Sequence, residues 1–160
     1  MNLVLDLQVS VAEPSLVPDD AAFESWVRAA AIAARAKAEE TIELTVRVVD
    51  EDEGTDLNEA YRGKVGPTNV LSFPFDAPVE LPTRLLGDIV ICAPVVVAEA
   101  TAQGKPEVAH WAHLVVHGVL HLCGFDHQNE ADALEMEAME REMLASLGFP
   151  DPYLDRHQPA

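Results

Sequence analysis

The sequence predicts an α+β domain in which one mixed sheet of about four strands is covered by helices. Four segments have the apolar patterns of strands, five others carry helix signals, and the two classes are not strictly interleaved along the chain. A chain of 160 residues suits one domain, and a hydrophobic content of 49% supplies a core of ordinary size. We expect a single domain over residues 1–150 and a C-terminal tail over residues 151–160.

The first half of the chain is predicted to alternate strands and helices. Apolar residues at odd positions from Leu3 to Val11 indicate a strand with one buried face. Pro18 and the two aspartates after it mark a helix start, and a second alternating segment over residues 42–48 predicts the next strand. We expect the acidic run 50–53 to close that strand as a turn, and Thr55 to cap a short helix that ends at Arg62.

The second half is predicted to hold two more strands and then three helices. Glycines and a proline after Arg62 separate that helix from strands over residues 70–75 and 85–92. The three helices span about 94–103, 106–122 and 130–147. The last of them carries a predicted core stripe made of Leu134, Met136, Met139, Met143 and Leu147.

The charge balance is strongly acidic, with 28 acidic and 10 basic side chains and a formal charge of −18. Such an excess repels polyanions wherever it is exposed, which argues against a nucleic acid partner over most of the surface. Residues 61–75 (YRGKVGPTNVLSFPF) are the exception, because they hold Arg62 and Lys64 and no acid. These two cations, with Asn69 and Ser72, could bind a phosphate, although an ordinary turn with solvated cations fits the composition equally well.

We expect a cytoplasmic protein with no signal peptide and no membrane partner. The N-terminal alternation carries Asp6 and Gln8 in place of a continuous apolar stretch. Cys92 and Cys123 lie far apart in the sequence and form no Cys-x-x-Cys motif, which favours reduced, buried thiols.

A histidine cluster between residues 110 and 127 predicts a metal site at the end of a central helix. At 100° per residue, His113, His117 and His121 lie at roughly 0°, 40° and 80° on one helix face, and His110 falls at about 60°. Two histidines at i and i+4 reach one ion, and His127 supplies a third ligand after the turn at Gly124. Three imidazoles favour zinc among the divalent metals, and they leave its fourth position open.

An open zinc position is suited to hydrolysis, since zinc activates water or polarises a phosphoryl oxygen. Residues 117–127 (HGVLHLCGFDH) match the metzincin peptidase pattern H-E-x-x-H-x-x-G-x-x-H except at Gly118, which replaces the glutamate base. The sequence therefore predicts a metallohydrolase that lacks the peptidase base. His113 is a candidate catalytic group or a partner of a carboxylate, and Asp126 could accept the outer N–H of a ligand.

The chain resembles the YbeY family, bacterial zinc-dependent endoribonucleases of ribosomal RNA maturation. The resemblance rests on YRGK and PTNVLSFPF within residues 61–75, LGDIVIC at 86–92 and HWAHLVVHGVLHLCGFDH at 110–127. It implies that His117, His121 and His127 bind zinc and that Arg62 is needed for RNA cleavage. Phe125 stands where the family usually has tyrosine, and Val65-Gly66 replaces a more polar pair.

The same resemblance implies the substrate and the partners. It predicts cleavage of single-stranded RNA, maturation of the 3′ end of the small-subunit ribosomal RNA, and a part in ribosome quality control. The implied partners are the small ribosomal subunit with its basic proteins and a ribosome-assembly GTPase. Two alternatives stay open from the residues alone: an amide hydrolase with a substitute base such as His113, and a non-catalytic assembly module with structural zinc closed by Asp126 or Cys123.

Overall fold

The computed structural model describes residues 1–34, 40–75, 83–125 and 129–153, and every structural statement below refers to these residues. Their helices and strands follow the predicted order, with one additional short 3-10 turn at Pro14–Leu16. The strands are β1 (Asn2–Ser10), β2 (Thr41–Val49), β3 (Val70–Pro74) and β4 (Thr83–Cys92). The helices are α1 (Asp20–Ala33), α2 (Glu51–Arg62), α3 (Ala93–Gln103), α4 (Glu107–Leu122) and α5 (Glu130–Ser146).

The four strands form one mixed sheet in the order β1-β2-β4-β3. β1 and β4 both run parallel to β2, whereas β3 lies antiparallel to β4 at one edge. The predicted α+β class with one mixed sheet is therefore confirmed.

The larger core lies on the face of the sheet that α1 and α4 cover, and α5 packs against these two helices. Alternate side chains of β2, from Ile42 to Val48, are at most 2% exposed on this face, as the period-2 pattern requires. α4 lies at the centre of this layer, with ten buried residues. A smaller cluster under α2 on the opposite face contains Val49, Leu71, Val90 and Cys92.

Helix α2 begins earlier than the sequence predicted. Asp50 occupies the N-cap position, and Glu51, Asp52 and Glu53 form the first helical turn. The prediction that this acidic run is a turn and that Thr55 caps the helix was wrong. Acidic side chains stabilise the positive end of the helix dipole, so three of them favour a helix start here.

The core stripe of α5 also differs from the predicted one. Met136 is buried and Met139, Met143 and Leu147 are partly buried against the core, but Leu134 is 58% exposed. The fully buried positions are Met136, Glu140 and Leu144, which follow one another at intervals of four residues. A glutamate thus occupies the middle of the buried face.

Gly87 shows why the segment LGDIVIC contains a glycine. It has a φ of +131° beside a β-bulge, where the register between β2 and β4 shifts. A Cβ at this position would lie 2.1 Å from the carbonyl oxygen of Phe73 on β3. Only glycine allows β3 and β4 to meet here.

Residues 151–153, assigned to the tail by the sequence, pack against the domain. Pro152 is buried, and Lys105 Nζ donates a hydrogen bond to its carbonyl oxygen at 2.7 Å. His157 and the rest of the predicted tail lie outside the described residues. No helix in the described ranges is long and apolar enough to cross a membrane.

Candidate metal and RNA site

A cleft of about 430 Å³ brings together residues from the two segments that the sequence analysis singled out. We call it the histidine cleft. It is lined by Tyr61, Arg62, Asn69, Val70, Leu71, Ser72, Pro74, His117 and His121. One wall comes from the end of α2 and from β3, and the other comes from α4. The cleft therefore brings together five of the predicted site residues, which are Arg62, Asn69, Ser72, His117 and His121.

Arg62 reaches the cleft because α2 ends at that residue. Gly63 follows in the left-handed conformation with a φ of +67°, which terminates the helix and turns the chain away. Tyr61, directly before Arg62, is 54% exposed, and its ring lies 4.3 Å from that of Phe73 on β3. An arginine and an aromatic ring thus stand side by side at the mouth of the cleft.

Asn69 and Ser72 line the same wall but have different freedom to bind a ligand. Asn69 Nδ2 donates to Glu99 Oε1 at 3.0 Å, and its Oδ1 accepts from the backbone N–H of Val70 at 2.7 Å. Its side chain therefore fixes the start of β3. Ser72 Oγ makes one long contact of 3.4 Å to the carbonyl oxygen of Gly118 and is half-buried.

Lys64 lies outside the set of residues that line the cleft, although the sequence predicted it to bind substrate. Its side chain is exposed, and its backbone carbonyl accepts a 3.5 Å hydrogen bond from Asn58 Nδ2. Asn58 is buried and also donates to the carbonyl of Gly66 at 2.8 Å. This buried amide holds the loop after α2, so that Arg62 and Lys64 point from a fixed turn.

His117 and His121 lie one turn apart on α4, with ring centroids separated by 5.0 Å. Gly118 between them faces away from the cleft, because a Cβ there would lie 3.1 to 3.3 Å from three side-chain carbons of Ile89 on β4. The glycine lets α4 approach the sheet closely. A glutamate at this position would point into the core and not toward the two imidazoles.

Glu140 on α5 lies directly behind these histidines, and the sequence analysis missed it. It is 1% exposed. Its carboxylate accepts hydrogen bonds from His113 Nε2 at 2.5 Å and from the Tyr153 hydroxyl at 3.0 Å, and it lies 3.5 Å from His117 Nδ1. Burial alone would raise the pKa of Glu140, but the hydrogen bonds and charges of His113 and His117 lower this pKa to about 2.

His113 is bound to Glu140 and is not among the residues that line the histidine cleft. It borders a smaller cavity of about 150 Å³ near the N-terminal end of α4, together with Lys105 and Pro152. Within the described ranges its buried Nδ1 has no hydrogen-bond partner. Nε2 is therefore the ring nitrogen through which His113 contacts its neighbours Glu140 and Tyr153.

His110 joins a second buried network. Its Nε2 lies 3.0 Å from Glu99 Oε1, the carboxylate that also binds Asn69. Burial lowers the pKa of His110, while the hydrogen bond that His110 donates to the Glu99 carboxylate opposes the shift. This network links the start of β3 to α3 and α4, and so it supports the wall of the cleft.

Two of the three predicted zinc ligands can be located. His117 and His121 line the cleft, whereas His127 and Asp126 lie outside the described residues. In the described part of the chain, no three His, Cys, Asp or Glu side chains form a cluster that could hold a metal ion. The two imidazoles, with Nδ1 of His117 directed to a carboxylate, are the kind of donors that zinc takes.

Cys123, considered as a closing ligand, packs against the hydrophobic core, and it does not line the cleft. Burial raises the pKa of its thiol and also that of Cys92. Both cysteines are free, as the sequence predicted.

The sequence analysis did not identify Glu140 and Tyr153, because no local pattern marks either of them as a site residue. Glu140 is one of many glutamates on α5, and only the four-residue spacing with Met136 and Leu144 marks it as buried. Tyr153 was assigned to the tail because prolines and aspartates surround it. The contact between the two residues depends on tertiary packing.

Two comparisons with known proteins bear on the family and the fold of this chain. A family profile described as "Endoribonuclease YbeY" matches residues 11–148. The solution structure of TM1509 from Thermotoga maritima is similar in fold, with a TM-score of 0.57 and 24% sequence identity over 88% of this chain and 88% of that chain.

Proposed function

Because the chain belongs to the YbeY family of endoribonucleases of ribosomal RNA processing, we propose that it is a zinc-dependent enzyme specific for single-stranded RNA. We assign it to maturation of the 3′ end of the small-subunit ribosomal RNA and to ribosome quality control. One observation carries this proposal: Arg62 lines the same cleft as His117 and His121. A phosphate group in this cleft would meet a guanidinium on one wall and imidazoles on the other.

His117, His121 and His127 would hold the zinc ion. When bound, zinc supplies a Lewis acid and lowers the pKa of water at its open position. Neutral imidazoles are required as ligands, and the contact of His117 Nδ1 with the Glu140 carboxylate favours a proton on that nitrogen. The other ring nitrogen, Nε2, then remains unprotonated and able to bind a metal.

Arg62 stabilises the negative charge that develops on the scissile phosphodiester. Its planar guanidinium offers paired donors to phosphate oxygens, and such donors act most strongly on the charge of the transition state. Lys64 on the following exposed turn adds a positive charge for the RNA backbone. Ser72 Oγ is a neutral donor within the cleft, and Asn69 keeps β3 in position through Glu99.

Tyr61 explains a preference for single strands. Its ring is 54% exposed beside Arg62 and packs against Phe73, with the two ring planes tilted by 54°. Unpaired bases stack on such rings, whereas bases inside a duplex are already stacked on each other. His113, the other predicted catalytic residue, acts through Glu140 in this scheme.

The surroundings of Gly118 speak against a peptidase. The metzincin base would have to project from this position, and a Cβ here meets Ile89 in the core. A phosphodiesterase needs no glutamate at position 118, since Arg62 and the metal would stabilise the negative charge on the phosphate.

The proposed partners follow from the substrate. They are single-stranded ribosomal RNA, the small ribosomal subunit with its basic proteins, and a ribosome-assembly GTPase, all in the cytoplasm. A net charge of −18 suits contact with basic proteins, and the segment 61–75, which carries two cations and no acid, suits contact with RNA.

The test compares two substrates and two variants. Zinc-loaded protein is incubated with single-stranded RNA or with an unfolded protein, alongside His117→Ala and Arg62→Glu. We expect cleavage of RNA only, and its loss in both variants. RNA cleavage that survives both substitutions would refute the assignment, and cleavage of the protein substrate alone would favour the peptidase.

A further inference from the structure

We propose that Glu140 is a positioning residue for the metal ligand His117, and that Tyr153 in the C-terminal segment holds Glu140 in place. The proposal rests on the zinc site of the proposed function, but it does not depend on RNA cleavage. Two contacts carry it, that of Glu140 with His117 and that of Glu140 with Tyr153. Neither the family match nor the sequence pattern assigns a role to them.

The burial of Glu140 is the first observation. A carboxylate that is 1% exposed occupies a position of α5 that Met136 and Leu144 flank with apolar side chains. An apolar residue would fill this position without the cost of burying a charge. The carboxylate is explained by what it contacts, which is two histidines and a tyrosine hydroxyl.

The geometry on the His117 side is the second observation. Glu140 Oε1 lies 3.5 Å from Nδ1 of His117, the ring nitrogen opposite to Nε2. A carboxylate at this nitrogen fixes the tautomer and the ring orientation, and it makes the other nitrogen a better electron donor. His113 binds the second carboxylate oxygen, Oε2, at 2.5 Å and so prevents Glu140 from rotating away.

The C-terminal segment is the third observation. The Tyr153 hydroxyl lies 3.0 Å from each oxygen of Glu140, and its ring meets that of His113 edge to face at 5.3 Å. Two further contacts anchor the segment: Lys105 Nζ to the carbonyl of Pro152 at 2.7 Å, and Arg141 Nε to Asp151 at 3.3 Å. Residues 151–153 are thereby held against α4 and α5, where Tyr153 contacts Glu140.

The experiment measures zinc affinity by competition with a chromophoric chelator, using the full chain. We expect Glu140→Gln to weaken zinc binding by about 10- to 100-fold, the usual effect of losing a carboxylate behind a metal-bound histidine. Tyr153→Phe should weaken it by about fivefold, because it removes one of the hydrogen bonds that hold the carboxylate in place. The visible absorption spectrum of the cobalt-substituted protein should change in Glu140→Gln, because the orientation of a ligand changes.

Two control variants separate positioning from general destabilisation. Glu142→Gln removes an exposed carboxylate from the same helix and should leave zinc affinity within twofold of the wild type. Val27→Ala, on the buried face of α1, should lower the melting temperature of the metal-free protein and leave zinc affinity unchanged.

Zinc affinity of Glu140→Gln within twofold of the wild type would overturn the proposal. If Glu140→Gln does not fold, Tyr153→Phe decides, and unchanged affinity in that variant overturns it. A wild-type protein that binds zinc more tightly than its variants but cleaves no RNA would refute the proposed function and leave this inference intact.

Discussion

At the scale of single residues, the two cations within residues 61–75 differ in their position relative to the histidine cleft. Arg62 lines the histidine cleft, whereas Lys64 is exposed and lies outside it. We expect Arg62→Gln to reduce the rate of RNA cleavage by about 10²- to 10³-fold, since it removes a donor to the transition state. Single-turnover kinetics with saturating RNA measure this rate.

Lys64→Gln is the matched comparison, because it removes the same charge two residues away. It should weaken RNA binding and reduce the salt dependence of binding, with little change in the rate at saturation. Equal losses of that rate in both variants would contradict the separate roles that we assign to the two side chains.

Tyr61 carries the second prediction at this scale. Replacing it with alanine should raise the dissociation constant for single-stranded RNA by about 5- to 150-fold, which corresponds to roughly 1 to 3 kcal/mol for one stacked base. Fluorescence anisotropy with the His117→Ala background measures binding without cleavage. Tyr61→Phe keeps the ring and should bind almost as the wild type does; similar losses in both variants would point to the hydroxyl and not to stacking.

At the scale of elements, the contact between α4 and β4 determines which way the histidines face. Gly118→Ala would place a Cβ 3.1 to 3.3 Å from Ile89, which is fully buried and has little room to move. Overpacking costs about 1 to 3 kcal/mol, against a gain of about 1 kcal/mol in helix propensity. We therefore expect a lower free energy of unfolding, measured by urea denaturation.

A double-mutant cycle checks the cause of this loss. Ile89→Val removes the atom that lies closest to the added Cβ, so it should recover part of the stability lost in Gly118→Ala. A stabilising effect of Gly118→Ala would show that α4 can move away from the sheet, and it would weaken our explanation for the glycine.

Helix α2 is tied to β2 by a paired ionic contact that predicts a pH dependence. Arg47 donates to both carboxylate oxygens of Glu53, at 2.6 and 2.9 Å. The hydrogen bond from Arg47 lowers the pKa of Glu53 below 4.5, with burial acting in the opposite direction. The contact stabilises the fold above pH 4.5, and its contribution is lost as the pH falls through the lowered pKa.

Glu53→Gln should therefore reduce stability at pH 7 by no more than about 0.5 to 1 kcal/mol, because the pair is partly exposed. The difference from the wild type should shrink as the pH is lowered toward 3. Urea denaturation at several pH values measures it, and Glu51→Gln controls for the loss of an acid from the same helical turn. A difference that grows in acid would reverse the sign we assign to the contact.

At the scale of the whole molecule, the sequence predicts the sheet and the order of elements because each strand and helix has its own periodic signal. The start of α2 was misplaced because an acidic run suits both a turn and the first turn of a helix, and local pattern does not decide between them. His117, His121 and Arg62 could be identified from their motifs. Glu140 and Tyr153 could not, since their meeting depends on how α5 and the C-terminal segment pack.

The distribution of charge over the molecule carries the last prediction. Two exposed acids on α5, Glu135 and Glu142, belong to the 28 that give the chain its charge of −18, whereas residues 61–75 contain none. We propose that this exterior limits RNA binding to the surface formed by residues 61–75. Each charge contributes a few tenths of a kcal/mol at about 10 Å in water, so neutralising both to glutamine should raise non-specific RNA affinity by roughly threefold. Binding measured at about 50 mM and 500 mM salt should show this gain only at the lower concentration, because salt screens exposed charges.

The control variant is Ala138→Gln, at an exposed position of the same helix, which keeps the net charge and should leave RNA affinity unchanged. An affinity gain that persists at high salt would mean that α5 contacts the RNA directly, and no gain at low salt would mean that the acidic exterior serves only the basic protein partners.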